Sequence, residues 1–450
     1  SRNSLFVAIQ GEKFDGHTFI DDAIEKGAIT IIAEKKISKK SNIPILIVKS
    51  SRLTMSKLAD TFFGHPSLRM NTIGITGTNG KTTTAYIVNQ IFNQNNLKSG
   101  SIGTLGFSSG KKNKELKHTT PESIELHGYL HELNNMGISN VVMEISSHSL
   151  ALNRASHLLL DTAIYTNLSP EHLDFHGDME SYFNEKLKLF SLLKPRGNAV
   201  INIDDKYSDR IIKEIKTKVI TYGANKKADI HIVSYSCTYS KMQINLSIFN
   251  KVYTIETNII GEYNIYNIMA SICVCLVNEI DIHDIINSLN KIKSIPGRLE
   301  FIGSRHNKIF IDYAHTADAF NNVLSLINSI KEKNHKIITL FGCGGDRDRG
   351  KRPQMAKIAE KLSDKIIVTS DNPRTENLQE ITNDIISGFT DTKHKVIHNR
   401  KEAIKYAINE LDEESILLIL GKGRENYECV GNNKFSHNDI EIIESELYES

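Results

Sequence analysis

The sequence predicts an α/β protein of three domains. A length of 450 residues accommodates about three domains of ordinary size. In the last third of the chain, short apolar strands alternate with helical stretches, which is typical of a doubly wound sheet. Further upstream, an apolar strand that starts at Thr72 runs through a glycine-rich turn into a helical pattern. We expect a small α/β N-terminal domain at 1–70, a central domain at 71–297 that contains this glycine-rich turn, a parallel sheet and a small β-meander, and a C-terminal Rossmann-like doubly wound domain at 298–450.

The composition is that of an ordinary globular protein. Hydrophobic residues make up 40% of the chain and charged residues 24%, and the formal net charge is +2. This balance gives no reason to expect nucleic-acid binding, and no apolar run is long enough to span a bilayer. The five cysteines lack CxxC spacing, and Cys273 and Cys275 suit core packing better than a metal site, so we expect a reducing cytoplasm.

Residues 1–70 carry the pattern of a small α/β domain. The predicted elements are strands at Leu5–Ile9, Ile29–Ala33 and Ile45–Val48 and helices at Phe19–Lys26 and Ser51–Phe63. Between the first strand and the first helix, Asp15–Thr18 is either a structural turn or a ligand contact, and its composition favours the turn. The chain begins without a methionine, so we expect part of this domain to be missing.

The segment from Gly77 to Thr83 has the composition of a phosphate-binding loop. It ends in Gly-Lys-Thr like a P-loop, although two residues rather than four separate its glycines. Glycines let backbone N–H groups approach phosphate oxygens, and the N-terminus of the following helix adds its dipole. Lys81 would neutralise phosphate charge, and Thr82 would offer its hydroxyl to Mg²⁺. We therefore predict an ATP or GTP site, rather than a capped turn, formed by Gly77, Thr78, Asn79, Gly80, Lys81, Thr82 and Thr83.

Two further segments follow predicted strands of the same sheet. Asn140–Glu144 is an apolar strand that ends in a carboxylate, an arrangement that brings a Mg²⁺ ligand beside a P-loop but also arises by chance. After a strand at Thr162–Thr166, His172 and His176 stand four residues apart with Asp174 between them. This spacing suits either a metal ligand pair or an ordinary polar loop.

Lys186 lies among apolar residues in a helix predicted at 180–193. A lysine in this setting either has a chemical role or extends its amine past the apolar face into solvent. Beyond it, alternating residues from Ile230 to Ile255 predict the β-meander, and Tyr263–Val277 predicts a helix.

In the last domain, four polar loops each follow a predicted strand. Because parallel strands end at the same edge of a sheet, we expect these loops to lie together and to form a binding cleft, although any one of them alone could be a solvated turn. The strands are predicted at Ile309–Ile311, Ile337–Phe341, Ile366–Val368, Lys395–Ile397 and Ile416–Leu420. The loops are Asp312–His315, Gly342–Asp348, Asp371–Glu376 and Gly421–Glu425.

Six motifs follow one another along the chain: Gly77–Thr83, Glu144–His148, Asn167–Asp174, Asp312–His315, Gly342–Asp348 and Asp371–Arg374. Together they resemble the Mur ligases of peptidoglycan synthesis, and within this family the UDP-N-acetylmuramoyl-dipeptide ligases that add the third amino acid. Each motif alone is weak, but the ordered set is specific and covers nearly the whole chain. Ser1 and Arg2 also resemble the end of an Asp-Ser-Arg motif in the family's uridine-nucleotide domain.

The resemblance implies an ATP-dependent amide ligase, in which an amine attacks an acyl phosphate made from ATP to give ADP and phosphate. It implies Thr82 and Glu144 as ligands of one Mg²⁺ and His172 as a ligand of a second. Lys186 matches the family lysine that reacts with CO₂, forming a carbamate that is a further oxygen ligand. Catalysis would involve Lys81, Lys186, His172 and Glu144, and further nucleotide contacts would come from Asn267, Arg298 and Asp312.

The resemblance also implies two substrates, UDP-N-acetylmuramoyl-L-Ala-D-Glu and a third amino acid. The positions that match the family's muramoyl-dipeptide contacts are Thr119, Thr120, Ser146 and Arg154. Leu152 and His118 stand where the family often has glutamine and asparagine, and Arg424 stands where it usually has histidine. The positions that match the amino-acid contacts are Arg347, Asp371, Asn372, Arg374, Gly421 and Glu425.

Arg374 points to meso-diaminopimelate as the third amino acid. The far end of meso-diaminopimelate carries a carboxylate, which a guanidinium binds through two parallel hydrogen bonds, whereas L-lysine has only an ammonium that a guanidinium repels. Family members that use lysine usually lack this arginine. The alternative role of Arg374 is an ion pair with Glu376 within the loop. We expect a cytoplasmic monomer without nucleic-acid partners or membrane insertion.

Several alternatives stay open beside this reading. One is the L-lysine-adding ligase, and another is a folylpolyglutamate-synthase-like ligase, which shares the P-loop and the carbamate. A third is a catalytically idle Mur-ligase-like assembly protein. Such a protein would have lost one of Lys81, Glu144, His172 or Lys186, and all four are present. A generic P-loop motor or switch has no further support in the chain.

Overall fold

The computed structural model describes residues 2–11, 14–36, 41–303, 307–391 and 394–449, so Ser1 of the Asp-Ser-Arg resemblance lies outside the described residues. The chain forms two compact units. The first comprises the chain up to Leu168 together with His176–Thr221 and Cys273–Glu279. The second comprises Ser169–Phe175, Tyr222–Ile272 and the chain from Ile280 onwards. Each unit contains parallel β-structure.

A small parallel sheet with two helices forms the beginning of the first unit. Its elements are β1 (Ser4–Val7), α1 (Ile20–Glu25), β2 (Ala28–Ala33), β3 (Ile45–Ile47) and α2 (Ser51–Phe62). The strands lie in the order β1-β2-β3. In the predicted turn, Asp15 accepts hydrogen bonds from the backbone N–H of His17 at 3.0 Å and pairs with its Nδ1 at 2.6 Å, while Nε2 of His17 accepts the N–H of Glu34 at 3.0 Å. Because both ring nitrogens of His17 are used in these contacts, the structure supports the structural role of the turn.

The phosphate-loop strand lies inside the main sheet of the first unit. The elements in chain order are β4 (Asn71–Thr76), α3 (Lys81–Gln94), β5 (Ser99–Gly103), β6 (Gly106–Ser108), β7 (Asn113–Lys114), α4 (Ser123–Asn135), β8 (Asn140–Glu144), α5 (Ser147–Ala151), β9 (Leu160–Tyr165), α6 (Leu173–His176), α7 (Met179–Leu187), β10 (Leu193–Asn202), α8 (Ser208–Glu214) and β11 (Lys218–Gly223). Of these, α6 up to Phe175 and the last two residues of β11 belong to the second unit. The strand order is β11-β10-β9-β4-β8-β5-β6-β7. Strand β4 pairs in parallel with both β8 and β9, so its loop and the ends of its neighbours open at one edge.

The predicted β-meander is present in the second unit. Its elements are β12 (Ile230–Cys237), β13 (Met242–Ile248) and β14 (Lys251–Thr257), followed by α9 (Glu262–Val277) and α10 (Ile282–Lys291). The three strands are antiparallel, and β12 pairs in parallel with the end of β11 at Tyr222. Helix α9 is apolar, but among the helices that the structure describes, none combines the length and the apolar composition that a membrane crossing requires.

A doubly wound sheet forms the rest of the second unit. Its elements are β15 (Glu300–Phe301), β16 (Lys308–Asp312), α11 (Ala317–Ile330), β17 (Lys336–Phe341), α12 (Lys351–Leu362), β18 (Lys365–Val368), α13 (Leu378–Ile386), β19 (His394–Val396), α14 (Arg400–Asn409), β20 (Ser415–Leu420), β21 (Tyr427–Val430), β22 (Asn433–Ser436) and α15 (Asp439–Glu449). The sheet order is β15-β16-β20-β17-β18-β19, and all strands except the edge strand β15 are parallel. Strands β21 and β22 form a separate hairpin.

These observations confirm the predicted α/β fold class, whereas the predicted helix at 180–193 was too long. Helix α7 ends at Leu187, a tighter 3-10 turn covers Lys188–Leu192, and Leu193 begins β10. The change has a physical reason, because Leu193 pairs with Leu160 of β9 and therefore belongs to the sheet. Short 3-10 segments are common where a helix ends.

A buried ion pair connects the C-terminal helix to the strand ends of the doubly wound sheet. Arg400 donates through Nε and Nη2 to the carboxylate of Asp439 at 2.9 and 2.7 Å, and both side chains are buried. The same guanidinium donates to the carbonyls of Ser370 and Leu420. Burial opposes ionisation of Asp439, but Arg400 and His437 outweigh it and hold the pKa of this carboxyl well below its usual range.

We expect Arg400→Ala to lower the free energy of unfolding by about 3–5 kcal/mol, because it leaves the Asp439 carboxylate buried without its cation. Since the folded-state pKa of Asp439 lies below the unfolded value of about 3.9, this contribution is present at neutral pH and is lost as the pH falls. Urea denaturation measures the change. The control is Lys365→Ala, whose pair with Glu410 is on the surface and should contribute less than about 1 kcal/mol. Equal losses in the two variants would contradict the importance of burial.

Candidate active site

The glycine-rich loop joins β4 to α3 through two glycines with positive φ angles. Gly77 has φ 151° and Gly80 has φ 88°, and a side chain at Gly77 would collide with the hydroxyl of Thr166. Lys81, the first residue of α3, donates from Nζ to the carbonyls of Gly77 and Thr78 at 2.8 and 2.7 Å. The ammonium of Lys81 is therefore held against the backbone of the loop.

A neighbouring strand end holds the loop in place. The N–H of Thr78 donates to the carbonyl of Asn167, and the N–H of Asn79 donates to its side-chain oxygen, both at 2.9 Å. In return, the carbonyl of Asn79 accepts from the hydroxyl of Thr166 at 2.6 Å and from Nδ2 of Asn167 at 3.2 Å. The loop is thus fixed by four hydrogen bonds to the two residues that follow β9.

Glu144 at the end of β8 meets the phosphate loop as predicted. Its buried carboxylate accepts the hydroxyl of Thr82 at 2.8 Å. It also accepts the N–H of Thr104 at 2.7 Å and the hydroxyl of Thr104 at 3.1 Å. A Cβ atom at Gly103 would lie 2.2 Å from this carboxylate, so only glycine leaves room for it. The predicted placement of the acid beside the P-loop is confirmed.

The donors at this point suit Mg²⁺. The hydroxyl of Thr82 and the carboxylate of Glu144 are hard oxygen ligands in direct contact. Among residues 2–11, 14–36, 41–303, 307–391 and 394–449, no group of three or more His, Cys, Asp or Glu side chains is arranged to hold a metal. Mg²⁺ in nucleotide sites commonly uses one or two protein oxygens together with phosphates and water, so this pair fits the ion.

Lys186 is buried, which contradicts the alternative that its amine extends into solvent. The side chain lies on α7, and its Nζ is 4.4 Å from the centre of the Tyr182 ring. The Tyr182 ring also lies 4.9 Å from that of His176, whose Nε2 is 3.0 Å from the hydroxyl of Ser147. A buried lysine amine needs a specific polar or aromatic environment, so its position is consistent with a chemical role.

His172 lies in the segment Ser169–Phe175, which belongs to the second unit. It has a left-handed backbone with φ 56°, and its Nε2 is 3.7 Å from Glu171. The structure therefore brings Thr82 and Glu144 together, and the metal-ligand role of His172 stays a prediction.

The residues that match muramoyl-dipeptide contacts form one group in the first unit. Thr120 donates its hydroxyl to the carbonyl of Glu144 at 2.8 Å and accepts the N–H of Ser146 at 3.0 Å. Arg154 donates to the carbonyl of Thr120 at 3.4 Å, and its Nε is 2.9 Å from Glu122. The hydroxyl of Thr119 is 3.3 Å from that of Thr104. This group adjoins the Glu144 carboxylate.

Four predicted loops of the second unit do lie at one edge of the sheet. Asp312 at the end of β16 pairs with Leu420 at the end of β20, and Leu420 also pairs with Phe341 of β17. Phe341 in turn pairs with Val368 at the end of β18. The loops that follow these four strands are therefore neighbours, as predicted.

Polar side chains connect three of these loops. Asn372 donates to Glu425 at 2.8 Å and accepts from Nζ of Lys422 at 3.1 Å and from the N–H of Cys429 at 2.8 Å. Glu425 also accepts the hydroxyl of Tyr313 at 3.2 Å. Burial and then the nearby Asp371 raise the pKa of Glu425. A cationic group that bound here would compensate this partly buried acidic charge.

Two arginines flank Gly344 in the same region. A Cβ atom at Gly344 would lie 2.8 Å from Nη1 of Arg374 and 3.9 Å from Cγ of Arg347. Partial desolvation and then the charge of Arg374 lower the pKa of Arg347, as expected for two close cations. Nη1 of Arg374 donates to the carbonyl of Gly345 at 2.7 Å. The loops around Gly344 therefore carry two guanidinium groups that suit an anion.

The alternative ion pair between Arg374 and Glu376 receives no support. Arg352 holds the carboxylate of Glu376 through two hydrogen bonds of 2.9 and 3.0 Å, and Arg349 lies 2.9 Å from it. These pairs lower the pKa of Glu376, with Arg352 as the largest cause. The carboxylate of Glu376 is therefore already paired with two other arginines, Arg352 and Arg349.

The predicted nucleotide contacts Asn267, Arg298 and Asp312 all lie in the second unit. Asp312 accepts the N–H groups of Leu299 and Ala314 at 2.5 and 2.6 Å, while burial raises its pKa. The guanidinium of Arg298 lies 4.7 Å from the centre of the Tyr313 ring, and Asn267 donates to Asn264 at 3.0 Å.

Arg424, which departs from the family pattern, pairs with a buried acid of the same unit. Its Nε donates to Glu300 at 2.8 Å, and its Nη2 also donates to Glu300. Glu300 accepts the N–H of Gly297 as well, at 2.7 Å. Arg424 is therefore engaged beside the candidate residues Gly421 and Glu425 of the same loop.

Sequence reasoning missed several residues that shape these sites. They are Gly103, Thr104, Thr166, Asn167 and Tyr182 in the first unit, and Tyr313, Lys422 and Cys429 in the second. Lys422 sits between two loop glycines, and Asn167 and Tyr313 sit inside recognised motifs, so their positions carried a weak signal. The others act through contacts that only the fold creates.

Comparison with known proteins assigns the family. The Mur ligase family catalytic domain matches residues 1–62, the Mur ligase middle domain 75–275, and the Mur ligase glutamate ligase domain 297–423. A protein of Aquifex aeolicus named UDP-N-acetylmuramoyl-L-alanyl-D-glutamate--2,6-diaminopimelate ligase is 41% identical over 444 residues, which cover 98% of this chain and 90% of that protein.

A second relative and a solved structure agree with this assignment. The Clostridium acetobutylicum protein named UDP-N-acetylmuramoyl-L-alanyl-D-glutamate--2,6-diaminopimelate ligase 1 is 39% identical over 446 residues, covering 98% of this chain and 92% of its own. A solved structure of a ligase with the same name, without the numeral, has a TM-score of 0.71 and 29% identity, covering all of this chain and 93% of its own. The chain therefore belongs to the Mur ligase family, as its six ordered motifs predicted.

Proposed function

We propose that this protein is an ATP-dependent ligase of peptidoglycan precursor synthesis. It joins meso-diaminopimelate to the D-Glu carboxylate of UDP-N-acetylmuramoyl-L-Ala-D-Glu through an acyl phosphate and releases ADP and phosphate. The observation that carries this proposal is the identity of about 40%, over nearly the whole chain, with relatives that are named for this reaction. The direct test is phosphate release with UDP-N-acetylmuramoyl-L-Ala-D-Glu and a panel of amino acids, in which meso-diaminopimelate should give the highest rate.

In this proposal, the phosphate loop binds and orients the phosphates of ATP. Lys81 now donates to two loop carbonyls, and in the ATP complex it would neutralise the charge of the transferring phosphate. Thr82 and Glu144 would hold Mg²⁺, which screens the charges of two anionic substrates when it is bound. Thr104 supports this arrangement because its two hydrogen bonds keep the Glu144 carboxylate aimed at Thr82.

Lys186 and His172 are the proposed further ligands. The buried Lys186 amine would react with CO₂ and so become an anionic oxygen donor, which explains a lysine in this position. Asn267 and Asp312 would bind the adenine and ribose of the nucleotide, and Arg298 would lie near its phosphates. The carboxylate of Asp312 accepts two backbone N–H groups, and these hydrogen bonds orient it before any ligand binds.

The two remaining substrates would use separate groups of residues. Thr119, Thr120, Ser146 and Arg154 would bind the muramoyl-dipeptide beside Glu144. The amino group of diaminopimelate would bind Glu425, whose carboxylate Asn372 and Tyr313 orient. The far carboxylate would bind Arg374 and Arg347, while Asp371 and Gly421 shape the same edge: a Cβ atom at Gly421 would lie 2.6 Å from Asp371.

The domain division at 1–70, 71–297 and 298–450, a cytoplasmic location and a monomeric state also stay proposals. The alternatives are a lysine-adding ligase, a folylpolyglutamate-synthase-like ligase and an idle assembly protein. The amino-acid panel separates the first from our proposal. Folate-dependent turnover would support the second, and absence of phosphate release with every substrate pair would support the third.

We expect Lys81→Ala to reduce ligase turnover by on the order of 10²-fold or more, because it removes a charged contact to the transferring phosphate. Binding of the muramoyl-dipeptide should stay close to that of the wild type, since its proposed contacts lie on other loops. Phosphate release and calorimetric binding measure the two quantities. Lys112→Ala, which removes a surface lysine paired with Glu132, is the control. Near-normal ATP turnover in Lys81→Ala would remove the loop from the mechanism.

We expect Lys186→Arg to be as damaging as Lys186→Ala. Arginine keeps a positive charge and a similar length but does not form the carbamate, so a role as a simple cation would instead preserve much of the activity. The control is Lys188→Ala, two residues further along, which removes a surface pair with Glu185. Mass spectrometry of the intact, active protein without a CO₂ adduct would count against the carbamate.

We expect strong activity with meso-diaminopimelate, little with L-lysine, and selective loss of the former in Arg374→Ala. A site built for a charged group rejects analogues that lack it by roughly 10⁴-fold or more, because its own polar groups stay unpaired. The ratio of kcat/KM values for the two amino acids measures this selectivity. Arg349→Ala removes another arginine of the region, one that pairs with Glu376, and should leave the ratio unchanged. Equal use of both amino acids by the wild type would overturn the assignment.

A further inference from the structure

Tyr182 lies between the phosphate loop and Lys186. It stands four residues before Lys186 on α7, so the two side chains share one face of the helix. Asp178 caps this helix by accepting the N–H of Ser181 at 2.7 Å, which fixes where its first turn begins. Tyr182 and Lys186 are 1% and 2% exposed. The ring of Tyr182 therefore lies beside the Lys186 side chain in the buried interior of the unit.

The ring and the hydroxyl of Tyr182 have different partners. The centre of the ring lies 4.4 Å from Nζ of Lys186, so the ring packs against the end of the lysine side chain. The hydroxyl lies 3.3 Å from Oγ1 of Thr78. Thr78 is the residue whose carbonyl accepts Lys81 and whose N–H is bound by Asn167. One side chain thus contacts both the loop and the buried lysine.

Phe183, the next residue, shows what a purely structural aromatic residue on this helix does. It is also completely buried, but its ring stacks on Tyr207 at 4.8 Å, and the guanidinium of Arg210 covers it at 4.4 Å. Neither of these partners is a candidate site residue. Tyr182 differs because its polar atom and its ring face two groups that the proposed reaction uses.

We propose that Tyr182 is a positioning residue that sets the phosphate loop and Lys186 relative to each other. Its hydroxyl restrains Thr78, and thereby the carbonyl that holds Lys81, so that the loop is already shaped for the phosphates of ATP. Its ring packs against the Lys186 side chain and restrains this side chain to one orientation. This inference rests on the proposed function for Lys186, whereas the contact with the loop concerns nucleotide binding alone.

Two variants separate the two contacts. Tyr182→Phe keeps the ring and removes the hydroxyl, and Tyr182→Leu removes both. We expect Tyr182→Phe to raise the KM for ATP and the Kd of ATP about three- to tenfold, the range that one hydrogen bond supplies, with kcat changed by less than about twofold. The carbamate signal of Lys186, observed by ¹³C NMR after equilibration with ¹³C-bicarbonate, should stay at its wild-type intensity. Tyr182→Leu should weaken ATP binding to the same extent and should also reduce the carbamate signal and kcat.

Phe183→Leu in the full-length chain is the matched control, because it truncates a buried aromatic ring on the same helix. It should lower the Tm like Tyr182→Leu but leave the Kd of ATP and the carbamate signal unchanged. A wild-type Kd of ATP in Tyr182→Phe would overturn the role of the hydroxyl, and a full carbamate signal in Tyr182→Leu would overturn the role of the ring. The same changes in Phe183→Leu would reduce Tyr182 to a folding residue. The Kd of ATP tests the role of the hydroxyl even if no amino acid supports turnover. Failure of the proposed function can therefore be distinguished from failure of this inference.

Discussion

The buried carboxylate of Glu144 is the constraint on which the first unit depends. A carboxylate removed from water is costly unless hydrogen bonds compensate it, and this one accepts three, from Thr82 and Thr104. These donors come from the phosphate-loop helix and from the end of β5, so the charge connects the ends of three elements. Gly103 makes the approach possible, since any side chain there would occupy the place of the carboxylate. Because β8 lies between β4 and β5 in the sheet, the carboxylate at its end accepts hydrogen bonds from residues that follow both neighbours.

In the second unit, a network of hydrogen bonds likewise joins the ends of several elements. Asn372 lies at the centre of a buried network in which Lys422 and the N–H of Cys429 donate to its oxygen and its amide donates to Glu425. Each of these groups would be costly alone, and together they fix two loops and the hairpin of β21 and β22. Burial and the nearby Asp371 raise the pKa of Glu425, while Lys422, Asn372 and Tyr313 act in the opposite direction.

The sequence predicted the strands and the loops that follow them because these depend on local signals. Apolar runs such as Ile337–Phe341 become buried parallel strands, and polar residues at their ends must then share one edge. It could not predict the contacts that join distant segments. Thr104 and Glu144 are forty residues apart, and the pairing of Glu376 with Arg352 rather than Arg374 depends on how α12 packs. The burial of Lys186 likewise depends on how α7 packs in the fold, whereas periodicity alone also allowed an exposed amine.

Three strained backbone positions of the second unit lie beside the candidate residues. Leu299, Asp346 and Arg374 adopt left-handed conformations, which cost non-glycine residues of order 1–3 kcal/mol each. Each is held by hydrogen bonds from another segment. The N–H of Leu299 donates to Asp312, and that of Asp346 donates to Glu376.

Arg374 shows most directly why such a conformation is retained. Its N–H donates to Cys429 at 3.0 Å and its carbonyl accepts from Gly431 at 2.6 Å, so the β21–β22 hairpin clamps its backbone on both sides. A flexible loop would let the guanidinium follow the nearest carboxylate, and Glu376 is only two residues away. With the backbone clamped and Glu376 held by Arg352, the guanidinium lies beside Gly344 and Arg347 instead. The strain therefore keeps a positive charge available at the sheet edge, in a place where local pairing would otherwise neutralise it.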